Sequence, residues 1–149
     1  MSGRAAHLEA SNFHRSRLQS CRFYGAVLND SNFSGSAIQD CNFTQTELDG
    51  VRFQSSDLTR SAFVRARMGN SDLRNAKLTT ADFGGAFLEG ARFDDAQMFG
   101  ADLRGANLKR ARGLTPEQLG QVRTDTSTIL PNGSNGPYIR RSGAERPAR

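Results

Sequence analysis

The sequence predicts an all-β chain that winds as a square coil, with four short sides to each turn. Three regularities lead to this fold class. A large apolar residue recurs at every fifth position from Leu8 to Leu108. A small residue, most often Ala or Ser, stands two positions before each of them. The phenylalanines of this series are spaced by multiples of 10 residues and so fall on only two of the four sides.

A period of five excludes both regular secondary structures. In a straight α-helix, with about 3.6 residues per turn, successive apolar residues would be rotated by about 140° and would point in all directions. In a flat strand they would alternate between the two faces, because five is odd. A coil that turns a corner after every repeat keeps all of them inside. The repeats make about five turns, or roughly 25 Å of rod if neighbouring turns pair as parallel strands about 4.8 Å apart.

The repeats themselves resemble a known family. Blocks such as Ala101-Asp102-Leu103-Arg104-Gly105 and Ala106-Asn107-Leu108-Lys109-Arg110 are similar to the pentapeptide-repeat motif: a small residue, Asp or Asn, Leu or Phe, then two freer positions. The resemblance covers about residues 6–110 and implies a right-handed quadrilateral β-helix, whose predicted domain is residues 6–112. Its departures lie mostly in the second position, which faces solvent, so they alter the surface and not the fold.

The two ends of the rod differ. Residues 1–5 form a short N-terminal lead. At the other end, Thr115-Pro116-Glu117-Gln118 is a capping box with Pro at the first helical position, which predicts a short helix over about residues 116–123. This helix and an extended segment make up a C-terminal cap of residues 113–131. Residues 132–149 are rich in Gly, Ser, Pro and Arg and are expected to be a disordered basic tail.

Composition and charge limit the kinds of partner that the protein could bind. Lys plus Arg total 20 and Asp plus Glu total 15, and the resulting formal charge of +5 arises wholly from residues 109–149. The basic tail could contact nucleic acid weakly, but a solubilising role is the simpler interpretation. No apolar run approaches the roughly 20 residues of a membrane helix, and the N-terminus lacks the apolar stretch of a secretory signal. The expectation is a cytoplasmic protein without membrane contact.

Catalysis, cofactors and metals find no support in the sequence. The only histidines, His7 and His14, point outward near one end, and no cluster of metal-ligating residues accompanies them. Cys21 and Cys41 are 20 residues apart, so they stack on one side in the small position. We interpret them as buried fillers, with a redox switch as the alternative. The sequence therefore predicts a protein that is not an enzyme.

Function is expected to reside in surface contacts. Phe87, Phe99 and Tyr24 are apolar residues in outward positions and are candidate contacts for an unidentified protein partner, although scattered exposed apolar residues are also normal. This favours a non-catalytic interaction or scaffold module. The family resemblance implies an alternative, a DNA mimic that binds DNA gyrase and protects it from quinolones. Such a mimic needs a strongly acidic rod, whereas residues 1–108 contain equal numbers of acidic and basic side chains.

The N-terminal turn is a candidate self-association surface. Its cross-section is formed by Leu8, Phe13, Leu18 and Phe23, and no helix comparable to the C-terminal one is predicted to cover it. Such an edge can pair with a second chain and form a weak homodimer. The alternative is that the first residues and the adjacent polar side chains cover the end adequately.

Overall fold

Short extended segments and turns alternate along the chain. The computed structural model describes residues 6–147, so the predicted lead of residues 1–5 lies outside it. The extended segments are single bridged residues, the first at His7, and each is followed by a two-residue turn. Because a corner follows every fifth residue, no longer strand forms within the repeats. The only helix among residues 6–147 is α1, Pro116–Leu119.

Parallel β-bridges join residues that are 20 positions apart, from His7 with Val27 to Arg92 with Arg112. Each coil forms backbone hydrogen bonds with both the preceding and the following coil. The N–H of Leu28 donates to the carbonyl of Glu47 in the next coil at 2.7 Å, and the N–H of Val27 donates to Ala6 in the preceding coil at 2.7 Å. The chain is therefore a coil of four sides, as the five-residue period predicts.

We number the four sides by their inward residues. Side 1 carries Leu8, Leu28, Leu48, Met68, Leu88 and Leu108; side 2 carries Phe13, Phe33, Phe53, Leu73 and Phe93; side 3 carries Leu18, Ile38, Leu58, Leu78 and Met98; side 4 carries Phe23, Phe43, Phe63, Phe83 and Leu103. Aromatic sides thus face each other across the coil, and so do aliphatic sides.

Left-handed residues close the corners. The N–H of Ser31 donates to the carbonyl of Leu28 at 3.1 Å, and the intervening Asp30 has a φ of 60°. The same turn recurs at every corner of the repeats. A left-handed conformation costs most residues about 1–2 kcal/mol but is accessible to Gly, Asn and Asp. Many corners accordingly carry one of these residues, as Gly50 does at φ 69°.

The interior is filled by the inward side chains. From Leu28 to Leu108, each large inward residue is at most 1% exposed. Phe33 and Phe53 stack on side 2 with ring centroids 5.2 Å apart, and Phe43 and Phe63 stack on side 4 at 4.9 Å. The two ladders also meet edge to face, with 5.9 Å between Phe33 and Phe43. The predicted aromatic ladders are present and touch each other across the bore.

The small inward position is polar in several coils, and its hydroxyls bond the backbone. Ser36 donates its Oγ–H to the carbonyl of Phe13 at 2.6 Å and accepts the N–H of Ser16 at 3.1 Å. Ser31 repeats the arrangement with Leu8 and Ser11. A buried hydroxyl that both donates and accepts stays satisfied, so serine is as compatible with this position as alanine.

The helix is shorter than predicted. Thr115 caps α1 through the expected capping box, but the helix ends at Leu119 and not near residue 123. The chain then rejoins the coil, because the N–H of Leu103 donates to the carbonyl of Arg123 at 2.8 Å. The backbone groups near residue 123 therefore form hydrogen bonds between coils and are not available for helical hydrogen bonds. Leu119 is buried on the end of the core.

The predicted disordered tail differs from the structure over residues 132–147. The N–H of Asn132 donates to the carbonyl of Ala144 at 3.1 Å, and Ala144 is 3% exposed. Tyr138 packs against the core cluster and donates its N–H to Oγ1 of Thr124 at 2.9 Å. Composition alone predicts disorder for such a polar segment. A few apolar contacts suffice here, because the segment packs against an end that the coil has already ordered.

Candidate functional site

Phe87 lies in an outward position of side 1. Its side chain is 50% exposed, and the guanidinium carbon of Arg67, one coil earlier, lies 6.0 Å from the ring centroid. A cation over an aromatic face contributes about 0.5–1 kcal/mol at an exposed site. The contact holds the ring against the rod and leaves its other face open.

Phe99 and Tyr24 lie on other sides of the coil. Phe99 follows side 3 and is 67% exposed, and Tyr24 follows side 4 and is 61% exposed. The Tyr24 hydroxyl donates to Oε1 of Gln45 at 2.9 Å. The structure therefore does not bring the three exposed aromatic residues together, and each would serve a separate contact.

The N-terminal coil is less covered than the coils that follow. Leu8 is 36% exposed, and Phe13, Leu18 and Phe23 are only partly buried against the core. The rings of Phe13 and Phe23 meet edge to face at 6.1 Å. These four inward residues are therefore more exposed than their counterparts in the following coils.

Backbone groups at this end have no ladder partner among the described residues. The N–H of Asn32 donates to Ser11, and that of Ala37 donates to Ser16. The corresponding groups one coil earlier belong to Asn12 and Arg17, and neither donates to a residue within 6–147. The first described coil therefore presents a strand edge.

A groove of about 1000 Å³ runs along the corner between sides 1 and 2. Glycines at positions 50, 69 and 90 form part of its wall. A Cβ at Gly50 would collide with the carboxylate of Asp30, and one at Gly90 would collide with the carboxamide of Asn70. The groove therefore depends on missing side chains at successive corners. The groove was not predicted from the sequence, although the repeated occurrence of Gly at these corners could have indicated it.

The charges of the groove are sorted along its length. Asp30 and Asp49 lie towards the N-terminal end, while Arg92, Arg110 and Arg112 lie towards the C-terminal end. All five side chains are exposed.

Two of these arginines lack an ion-pair partner within residues 6–147. Arg110 pairs through Nη1 with Oε1 of Glu89 at 2.7 Å. Arg92 and Arg112 are bridge neighbours in successive coils, and no carboxylate in the described part of the chain lies within ion-pair distance of either. Arg92 is bridged to Asp72 on one side, which offsets part of its charge, and to Arg112 on the other side, which repels it; the positive charge that remains at this end of the groove favours an anionic group.

Other arginines of the rod are engaged locally. Arg104 forms a bidentate ion pair with Asp102, with an Nη2–Oδ2 distance of 2.7 Å, and Arg74 forms the same kind of pair with Asp72 at 2.6 Å. The hydrogen bonds from Arg104 lower the pKa of Asp102 below its ordinary value of 3.8, against a smaller opposing effect of burial. Each pair joins the second and fourth positions of one repeat, so it stabilises a single corner.

The histidines and the other metal-ligating side chains are scattered over residues 6–147. No three metal-ligating side chains cluster there. His7 contacts Glu9 at 3.1 Å, and His14 contacts the hydroxyl of Ser34 at 2.8 Å; both histidines are exposed. No helix in this part of the chain is long and apolar enough to cross a membrane.

Both cysteines are free thiols, and Cys41 is buried. Burial raises the pKa of the Cys41 thiol to about 11. Its sulfur donates to the carbonyl of Leu18 and accepts the N–H of Cys21, as the serines do in the same position. These contacts support the interpretation of Cys41 as a buried filler, whereas Cys21, in the first coil, is only partly buried and departs from that prediction.

The chain was compared with known families and structures. The family described as Pentapeptide repeat region matches residues 36–112, and the family described as Pentapeptide repeats (8 copies) matches residues 4–35. The comparison with curated proteins gave no match.

Solved structures include several similar chains. A pentapeptide repeat protein from the Arabidopsis thaliana thylakoid lumen is 28% identical over 62% of this chain and 68% of its own, with a TM-score of 0.51. Rfr23 from the cyanobacterium Cyanothece 51142 is 26% identical over 83% of this chain and 86% of its own, with a TM-score of 0.44. QnrB1, a plasmid-mediated fluoroquinolone resistance protein, is 17% identical over 89% of each chain, with a TM-score of 0.29.

Proposed function

Because this chain belongs to the pentapeptide-repeat family, we propose that it is a non-catalytic protein-interaction or scaffold module. Membership implies a right-handed quadrilateral β-helix, a fold whose rigid sides hold outward side chains at fixed spacing. One observation carries the proposal. The interior is completely filled, since the large inward residues from Leu28 to Leu108 are at most 1% exposed, so binding is confined to the outer surface.

The proposed partner contact is Phe87. Its ring is half exposed and held by Arg67, which reduces the conformational entropy that would be lost on binding. Aromatic anchors are enriched among residues that dominate interface energies. Phe99 and Tyr24 are further candidates, each on its own side of the rod.

Capture from host lysate tests this proposal. The full chain is immobilised, and the retained proteins are compared with those retained by Phe87→Ser and by the control Ile139→Ser, which makes the same kind of change at a side chain that is 67% exposed. We expect a stoichiometric partner that Phe87→Ser loses and Ile139→Ser retains. Failure of the wild-type chain to retain any protein above background would contradict the interaction role. Equal retention by all three would exclude Phe87 as the contact.

We also propose a weak homodimer through the N-terminal coil. The partly exposed Leu8, Phe13, Leu18 and Phe23 support it, together with the strand edge at Asn12 and Arg17. A two-fold contact of this end is closed and stops at a dimer. The cross-section of a narrow coil is small compared with the roughly 800 Å² per partner of a standard interface, so the dimer is expected to be concentration-dependent.

Sedimentation equilibrium tests the dimer with a conservative pair of variants. Asn12→Asp places a charge on the proposed interface and keeps the oxygen that accepts the N–H of His14. Asn32→Asp makes the same change one coil later, where the oxygen accepts the N–H of Ser34. We expect Asn12→Asp to weaken the dimer and Asn32→Asp to leave it unchanged. A wild-type chain that stays monomeric at all concentrations would overturn the proposal.

A further inference from the structure

The groove between sides 1 and 2 has the length of a short extended peptide. Asp30 and Arg110 are separated by four coils, or about 19 Å at about 4.8 Å per coil. An extended chain covers that distance with about six residues, at about 3.3 Å each. The volume of about 1000 Å³ is open along the corner, so a linear segment can lie in it without threading.

The two ends of the groove act as separate charged patches. Asp30 lies four coils, or about 19 Å, from Arg112, which is more than twice the Debye length of about 8 Å at physiological ionic strength. Asp49 and Arg92 are about two coils, or about 10 Å, apart, so Asp49 offsets the charge of Arg92 in part, whereas Asp30 hardly affects Arg112. Glu89 and Arg110 compensate each other between these patches, because they form an ion pair. A ligand would experience one acidic end and one basic end.

We infer that this groove binds an extended polypeptide segment of a partner protein that carries basic side chains at one end and acidic side chains at the other. The basic residues of the segment lie beside Asp30 and Asp49, and the acidic residues lie between Arg92 and Arg112. Guanidinium groups favour carboxylates because they can offer two parallel N–H donors. The inference rests on the proposed interaction role and adds the chemistry of the partner.

A uniformly charged ligand fits the groove less well. A nucleic acid strand would bring phosphates to the arginines but also to Asp30 and Asp49, where like charges repel. A polycation would meet the reverse conflict at Arg92 and Arg112. Only a ligand whose charge changes sign along its length matches both ends.

Designed peptides can test this without a known partner. The probes are capped hexapeptides in which a Gly-Ser spacer separates two lysines from two glutamates, made in both chain directions, with an alternating Lys/Glu peptide of identical composition as the control. Backbone and arginine Nε–H resonances of the full chain are followed by NMR at low salt. We expect at least one block peptide to shift resonances of Asp30, Asp49, Arg92 and Arg112 and to bind about tenfold more tightly than the alternating peptide.

Matched variants locate the binding. Arg92→Glu combined with Arg112→Glu should weaken the block peptide at least about tenfold. The control combines Arg65→Glu with Arg123→Glu, which makes the same charge change at exposed positions outside the groove and should change affinity less than about threefold. Asp30→Asn should weaken binding more than Asp95→Asn, and both of these corner residues are left-handed, so the substitution strains neither.

Several results would overturn the inference. One is equal affinity for the block and alternating peptides, and another is tighter binding of a single-stranded oligonucleotide. Resonance shifts confined to other sides of the coil, or an equal loss of affinity in the groove variants and their controls, would also contradict it. A failure of this inference can be distinguished from a failure of the proposed function. If the lysate partner is retained by Arg92→Glu combined with Arg112→Glu, the interaction role stands and the groove is not its site.

Discussion

Replacing Phe53 by alanine is the most direct test of the inward assignment. The Phe53 side chain is fully buried, and its ring lies 5.2 Å from Phe33, 5.8 Å from Phe43 and 5.7 Å from Phe63. Phe→Ala in a packed core costs about 3–5 kcal/mol through lost transfer energy and the cavity left behind. Because three ring pairs are lost, each worth about 0.5–1.5 kcal/mol, we expect the upper half of that range.

Urea unfolding measures this cost. With a slope of about 2 kcal/mol per M, a loss of about 4 kcal/mol lowers the midpoint by about 2 M. Phe99→Ala is the matched control, because it makes the same chemical change at a side chain that is 67% exposed. Its cost should stay below about 0.5 kcal/mol.

Phe53→Leu gives an intermediate point on the same scale. Side 2 already accepts leucine at Leu73, the next inward residue of the same column. Leucine is therefore compatible with the column and should cost less than alanine. Equal midpoints for Phe53→Ala and Phe99→Ala would refute the argument that the five-residue period defines the core.

Three further predictions concern the thiols, the corner ion pairs and the gyrase alternative. In Cys21→Ser, the remaining Cys41 should react with a thiol reagent far more slowly in the native chain than in the denatured one; equal rates would contradict its role as a buried filler. Because Arg104 lowers the pKa of Asp102, its stabilisation is present well above pH 3.8 and disappears as the pH falls through the lowered value. The difference in unfolding free energy between wild type and Asp102→Asn should therefore vanish in strong acid, and a difference that stays constant down to strong acid would contradict this account. Because the rod is not acidic, the purified chain should not protect DNA gyrase from a quinolone in a supercoiling assay, and protection at equimolar ratio would revive the DNA-mimic hypothesis.

The period was sufficient to predict the core. An inward position every five residues fixes which side chains meet, so the contacts of Phe33 with Phe53 and of Phe43 with Phe63 follow from numbering alone. The same argument predicted the buried serines, since strand alternation turns the position two before each apolar residue to the same face. Both predictions depend only on backbone geometry that every repeat shares.

The C-terminal segment could not be predicted in this way. Residues 132–147 have no period, and their few apolar residues would not form a core alone. Their order comes from contacts with a surface that other residues build, as when Tyr138 packs against the core and Ala144 is buried. Composition describes a segment in isolation, so it underestimates the order of a segment that has a preformed surface to cover.

The groove required a different kind of information from the core. Its wall depends on glycines at positions 50, 69 and 90, and its charge pattern depends on residues up to four coils apart. The repeat motif does not specify the residue type at these positions, because the fold tolerates many residues there. The exposed aromatic residues were predicted from their outward positions, and the same numbering already places Phe87 and Phe99 on opposite sides of the coil.

Stability and recognition are encoded by different positions of the repeat. The first and third positions fill the bore, while the second position faces outward and repeats along each side at about 4.8 Å per coil. On side 2 the second position changes from Asn32 through Arg52 and Asp72 to Arg92 and Arg112, and these changes leave the buried residues beneath them untouched. The order of charges along a side can therefore be altered without cost to the core. For this reason we expect the specificity of this protein to depend on the spacing of its charges more than on the shape of any single pocket.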